Sequence, residues 1–264
     1  MKTAAVFAIM YPSVLTGFLL VLVIAMRWCL VHADRKRSEY ILLVVLFTSL
    51  LSGAAQAIAN HLSAWRPMKY DLYIYRVDAL FGQPSFVLGR FVDAHLWLQL
   101  ILHVSYGLLP TAVSAVLGLY ILRRESQFPT ALRTFLLNLM IAPLFYMLIP
   151  VCGPAFAFPD FPHVQIFVTP HLIALTAPPN GMPSVHTSTA LLIAWFSRHW
   201  EIGRWLSIVY LALIVASTLA SGQHYLLDLL AAVPYAWIVA WTVRMTEQSR
   251  PLMLVPEESS TDDQ

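Results

Sequence analysis

Long apolar tracts alternate with polar connections along most of the chain, at about 5–26, 40–59, 95–122, 132–152, 185–199, 204–223 and 225–245. Crossing a bilayer takes about 20 mostly apolar residues, so the pattern predicts seven transmembrane helices, the fifth short for the purpose. Two connections are long, at about 60–94 and 153–183, and the others are short. The last stretch, 251–264, ends in the acidic "EESSTDDQ" and reads as a disordered tail. Residues 1–250 are expected to form one integral membrane domain, an all-α polytopic bundle.

Composition agrees, with 59% hydrophobic and 11% charged residues and a mean hydropathy of +0.69, far from a soluble domain. Orientation follows from Lys and Arg, which concentrate in short cytoplasmic loops. With the N-terminus outside, eleven of them fall on the inner side and five, Lys2, Arg66, Lys69, Arg76 and Arg90, on the outer. Both long connections then lie on the non-cytoplasmic face, in a bacterial inner membrane or on a lumenal face of the secretory pathway. The first tract is too long for a signal-peptide core and lacks a small-residue cleavage site before the charged loop. Cys29 and Cys152 are expected on opposite sides of the membrane and so unpaired. A net charge of +2 argues for no nucleic-acid partner.

Two polar clusters stand at the outer ends of tracts. In "NGMPSVHTS" the Asn180-Gly181 turn and Pro183 place Ser184 and His186 at the start of the fifth helix. Unpaired amides and the positive end of the helix dipole suit an anion there. Ser184, Thr187 and Ser188 add hydroxyl donors, and His186 a group that exchanges protons near neutral pH. The plainer reading is a capped helix start with an interfacial histidine. In "SGQHYLLD", His224 and Asp228 are four apart, which on a helix is one face. The carboxylate would then accept the imidazole N–H and fix its tautomer, or simply staple two helix ends. Two histidines and a carboxylate also form a possible metal-ligand set, although the hydroxyls beside His186 favour an anion over a cation.

"MPSVHTS" and "STLASGQHYLLD" resemble the second and third motifs, P-S-x-H and S-R-x5-H-x3-D, of the type 2 phosphatidic acid phosphatase superfamily. The closer resemblance is to its inositolphosphotransferase branch, the group of inositol phosphorylceramide synthase. That branch has a similar Asn-containing turn before its histidine motif, a P-x-x-G-P segment like "PVCGP" at 150–154, and the "HYLLD" pairing; "DLYIYRVDALFGQPSFVLG" resembles its first outer loop. The resemblance covers about 60–235 and implies a six-helix core within the seven spans. It departs in two places that matter. The phosphatases carry a phosphate-binding Arg six positions before the third-motif His, where this chain has Thr218. Their first motif, K-x6-R-P, is approached only by Lys69 to Arg76, followed by Val77. A replacement clamp is expected from Lys69, Arg76 or Arg90, and Arg90, beside Gly89 just before the third tract, is the favoured one.

The chemistry implied is phosphoryl transfer through a phosphohistidine. His224, oriented by Asp228, attacks phosphorus, and His186 protonates the leaving alkoxide and later deprotonates an acceptor. The donor is a phospholipid or lipid phosphate, the acceptor a lipid or other alcohol, or water for a phosphatase, and the scheme calls for no cofactor and no metal. Asp71 and Asp78 are expected to cap helices or pair with Arg76 rather than bind polyol hydroxyls, and His95, His103, His163 and His171 to be ordinary packed or interfacial histidines. A lipid transporter is the competing class, but no internal repeat is visible and the polar groups gather at one membrane face.

Overall fold

The computed structural model describes residues 61, 65–123, 125–163, 168–179 and 181–248. The tracts at about 5–26 and 40–59, Cys29, Asn180 and the acidic tail lie outside the described residues. What is described is mostly helical. A two-residue strand β1 (Met68–Lys69) precedes α1 (Asp71–Asp78), a 3-10 turn over Ala79–Phe81 and α2 (Pro84–Asp93). Then follow α3 (Leu96–Gly107), α4 (Leu109–Leu122), α5 (Phe128–Leu148), the single turn α6 (Pro154–Ala157) and strand β2 (Ile173–Ala174). The chain ends in α7 (Val185–Ser197), α8 (Glu201–Ala220) and α9 (Leu226–Gln248).

Three helices are long and apolar enough to cross a membrane: α5, α8 and α9. The tract expected as one span over 95–122 is instead two helices, α3 and α4, bent by 50° at Leu108. The cause is local. Pro110 has no N–H and its ring opposes the carbonyl four residues back, that of Tyr106, while Gly107 adds little helix propensity at the same point. Pro143 and Pro234 lie inside α5 and α9 without such a break, as membrane helices tolerate when neighbours satisfy the freed groups. With its apolar helices facing outward through side chains such as Trp237, Ile238 and Trp241, the chain is an integral membrane protein.

The short helix α7 is the centre of the bundle, packed by α4, α5, α8 and α9. Its burial suits the wholly apolar run 190–196. Ala190, Leu192, Ile193 and Phe196 meet Leu117, Tyr120, Phe135, Ile214 and Ala236 in one core. Since α7 has 13 residues and its hairpin partner α8 has 20, α7 stops about 10 Å short at a rise of 1.5 Å per residue. A second core covers that end: Phe86 of α2 packs edge-on against Tyr75 of α1 and against Phe158, and Tyr75 and Phe158 meet at a tilt, with Val151, Met182 and Tyr225 in the same cluster. The strand pair, antiparallel with Met68 opposite Ala174, ties the two long connections together.

Candidate active site

Helix α7 begins at Ser184, whose backbone is extended and whose Oγ accepts the Thr187 amide at 3.3 Å. Thr187 Oγ1 also donates to Ser184 Oγ, at 3.1 Å, and Ser188 Oγ donates to the Val185 carbonyl. Two of the three hydroxyl protons are therefore already used in capping, and the proton on Ser184 is the one left to offer. The amides of Val185 and His186 belong to the first turn and have no intrahelical acceptor. They and Ser184 form the donor set at the start of α7.

The start of α9 is different, because its amides are taken. Asp228, at the third helical position, reaches back to the Tyr225 amide at 2.8 Å, one half of a capping box. Asp78 from α1 accepts the Leu226 and Leu227 amides, each at 3.1 Å. The anion-ready terminus is α7's alone of these two. His224 stands two residues before α9, so it and Asp228 do not share a helical face as the spacing suggested. They meet because Asp228 folds back over its own cap. His224 Nδ1 lies 2.9 Å from the Gly181 carbonyl and 3.5 Å from Asp228 Oδ2. Both partners can only accept, so Nδ1 carries the proton and Nε2 keeps a lone pair. The nearer acceptor is the carbonyl; the carboxylate supplies charge from behind. Asp228 Oδ1 is buried with no hydrogen-bond partner among the described residues.

The turn carrying His224 is held from several sides. Its amide donates to the Thr218 carbonyl, and its own carbonyl accepts from Ser85 Oγ at 2.9 Å. Gly222 has φ +67° and its carbonyl accepts the Ala155 amide. Gly153, with φ +104°, lies so close that a Cβ there would stand 2.2 Å from the Gln223 carbonyl. The "PVCGP" segment is thus the hub beside the site. Val151 accepts the Gly181 amide, and the Cys152 and Gly153 amides donate to Asp71. Burial pushes the Asp71 carboxyl up to about 6, against the pull of those two amides. Cys152 is buried and reduced.

His186 and His224 face each other with ring centroids 6.2 Å apart. Gly181 and Asp228 hold the His224 ring, while Ser184, Thr187 and Ser188 sit beside His186 in the first turn of α7. Ser184 and Asp228 are joined directly by the Ser184 amide and the Asp228 carbonyl. The basic candidates are not part of this group. Arg76 and Arg90 are exposed on α1 and α2, and no hydrogen bond or ion pair holds either among the described residues. Lys69 is buried and donates to the Arg66 carbonyl, and its burial lowers its pKa. Thr218 is buried too, its hydroxyl turned back to the Val215 carbonyl. Among the described residues no three His, Cys, Asp or Glu side chains form a metal-holding group. Asp71 and Asp78 hold backbone amides, and neither pairs with Arg76. His95, His103 and His171 each bond a nearby carbonyl.

Sequence reasoning missed Tyr106, whose ring stacks on His186 at 4.2 Å, and Ser85. Neither has a spacing that links it to a motif. Gly107 and Pro110 are a visible sign that the helix ends just after Tyr106.

A helical membrane bundle with two histidines converging at a helix terminus is the setting of a lipid phosphatase or phosphotransferase. The chain matches the PAP2 superfamily model over residues 72–242 and belongs to that superfamily. No curated protein and no solved structure matches it.

Proposed function

We propose that this protein is a membrane lipid phosphotransferase that works through a phosphohistidine, built as seven spans around a six-helix core with its site on the non-cytoplasmic face. The observation that carries the reading is His224, its Nδ1 occupied by Gly181 and Asp228 and its Nε2 turned free 6.2 Å, ring to ring, from His186. A phosphorus about 3 Å from an attacking atom, with its ester oxygen about 2.8 Å from a proton donor, needs a gap of that order. His224 Nε2 forms the bond to phosphorus as the phosphorus–oxygen bond to the donor lipid breaks. The departing oxygen keeps the electron pair and takes the proton from His186. In the second half His186 takes the proton of an acceptor hydroxyl, that oxygen bonds to phosphorus, and the pair in the phosphorus–nitrogen bond returns to His224. Asp228 stabilises the histidine while it is positive. The Ser184 hydroxyl and the Val185 and His186 amides face the phosphoryl oxygens, where charge grows during transfer.

Support for transfer to an alcohol rather than water comes from the inositolphosphotransferase-like features. Thr218 stands where the phosphatases have Arg, and "PVCGP" and "HYLLD" build the hub and the His–Asp corner described above. The outer-face placement is supported by Arg123, Arg198, Arg204 and Arg244, which lie at the helix ends away from the site. A clamp from Arg76 or Arg90 requires either side chain to turn inward when substrate binds. The test is to incubate the purified protein with labelled phospholipids, with and without ceramide, diacylglycerol or inositol, and identify products by mass. Label on the added alcohol is the expected result. Label released only as inorganic phosphate makes the protein a phosphatase, and no transfer to any acceptor, water included, overturns the reading.

A further inference from the structure

The proton donor in this reaction has a neighbour outside every motif. Tyr106 lies at the end of α3, one residue from its last position, and its ring lies at 20° to that of His186 with centroids 4.2 Å apart. Its hydroxyl is 3.3 Å from His186 Nδ1. In a stack the phenol lies over the imidazole face, whereas the Nδ1 lone pair points along the ring plane, so ring overlap is the main contact. His186 is packed between helices, and among the described residues no carboxylate pairs with it; Asp228 stands behind His224 instead. An imidazolium in such surroundings is expensive unless something offsets its charge. The face of a phenol does so, because the ring quadrupole attracts a cation. The break at Pro110 is what allows this placement, since α3 ends under His186 while α4 leaves at 50°.

We propose that Tyr106 is a positioning residue for proton delivery, its π face holding His186 and favouring the protonated ring that gives its proton to the departing oxygen. The inference rests on the reading of His186 under "Proposed function". It predicts sensitivity to how much the leaving group needs a proton. A diacylglycerol alkoxide needs one badly, and a 4-nitrophenolate hardly at all.

The experiment measures single-turnover release of the leaving group, which reports the first half-reaction alone and not the later base role of His186, from dioctanoyl phosphatidic acid and from 4-nitrophenyl phosphate by the purified full-length protein. Tyr106→Leu, Tyr106→Phe and His186→Ala are compared with wild type. Tyr106→Leu is expected to lose about tenfold to thirtyfold on the lipid, the worth of a desolvated cation–π contact, and about threefold or less on the aryl ester. Tyr106→Phe, which keeps the face, recovers most of the loss. His186→Ala shows the same selectivity with a larger loss, about 10²–10⁴ on the lipid. Equal losses on both substrates in Tyr106→Leu, with His186→Ala still selective, overturn this inference alone, and so does a Phe variant as impaired as Leu. Equal losses on both substrates in His186→Ala remove the proton-donor role itself.

Discussion

Among the described residues there are two histidine–carboxylate pairs, at opposite ends of the bundle, and the shorter one is not at the candidate site. His199 Nε2 lies 3.0 Å from Glu125 Oε2, and Trp200 Nε1 donates to the other oxygen at 2.9 Å. The two side chains are 38% and 25% exposed. His224 Nδ1 and Asp228 are 3.5 Å apart and almost fully buried, at 4% and 0%. Distance alone would select the wrong pair. At His199 the carboxylate occupies Nε2, the nitrogen farthest from the backbone, and water reaches both partners. At His224 the backbone-near nitrogen is occupied, by a carbonyl as well as a carboxylate, and the far one is left free. On the proposed mechanism, what fits His224 rather than His199 to be the nucleophile is which nitrogen is used and what surrounds it.

The contrast is broken most severely by removing each imidazole. His224→Ala should reduce turnover by more than about 10⁴-fold, because a covalent role has no substitute, while His199→Ala should stay within about twofold. Labelled product is the readout, with detergent size-exclusion profiles showing that both variants fold. Comparable losses at the two histidines would end the distinction.

Exchanging each carboxylate for its amide is the next test. Asp228→Asn should cost on the order of 10²–10⁴ in rate, since the ring keeps the Gly181 carbonyl but loses its charge partner. Glu125→Gln should change the rate by about twofold or less. An Asp228→Asn enzyme at wild-type rate would make that carboxylate a capping group only.

A third measurement asks whether an exposed arginine joins the buried pair during turnover. If Arg90 turns inward as the phosphate clamp, Arg90→Ala should lose roughly 2–4 kcal/mol of transition-state stabilisation in kcat/KM. Lys should not restore it, lacking the planar fork. Arg76 is the second candidate, and wild-type efficiency in both Ala variants would leave the phosphate to the α7 terminus and Ser184. The smallest effect belongs to the exposed pair: a double-mutant cycle on His199 and Glu125 should give about 0.2–1 kcal/mol of coupling, falling with salt. A coupling several times larger would mean that this end is as rigid as the site.

Much of the site was legible because it is local. The P-S-x-H and H-x3-D spacings put His186, His224 and Asp228 at helix starts, and hydropathy marked α5, α8 and α9 within a few residues. The tract over 95–122 reads as one span and is built of two helices bent by 50°; 28 residues is long for one crossing, and Gly107 and Pro110 mark the break. Other features had no local sign. Asp78 was expected to cap a helix, but nothing in its neighbourhood showed that the helix begins 148 residues later. The Gly181 carbonyl that holds His224 is a backbone atom, invisible to residue patterns. Tyr106 reaches His186 only through the bend, so its role depends on geometry rather than spacing.

The bond from Asp78 to the α9 amides also bears on the order of assembly. Asp78 is synthesised early and its partners, Leu226 and Leu227, near the end of the described chain. During synthesis α1 therefore waits with a carboxylate that has no amides to accept, and α9 completes it. Contacts of such sequence separation form slowly. The His224 corner, which shares that helix start, is consequently among the last parts of the protein to take shape, so a chain truncated before α9 retains the first histidine motif but no competent centre.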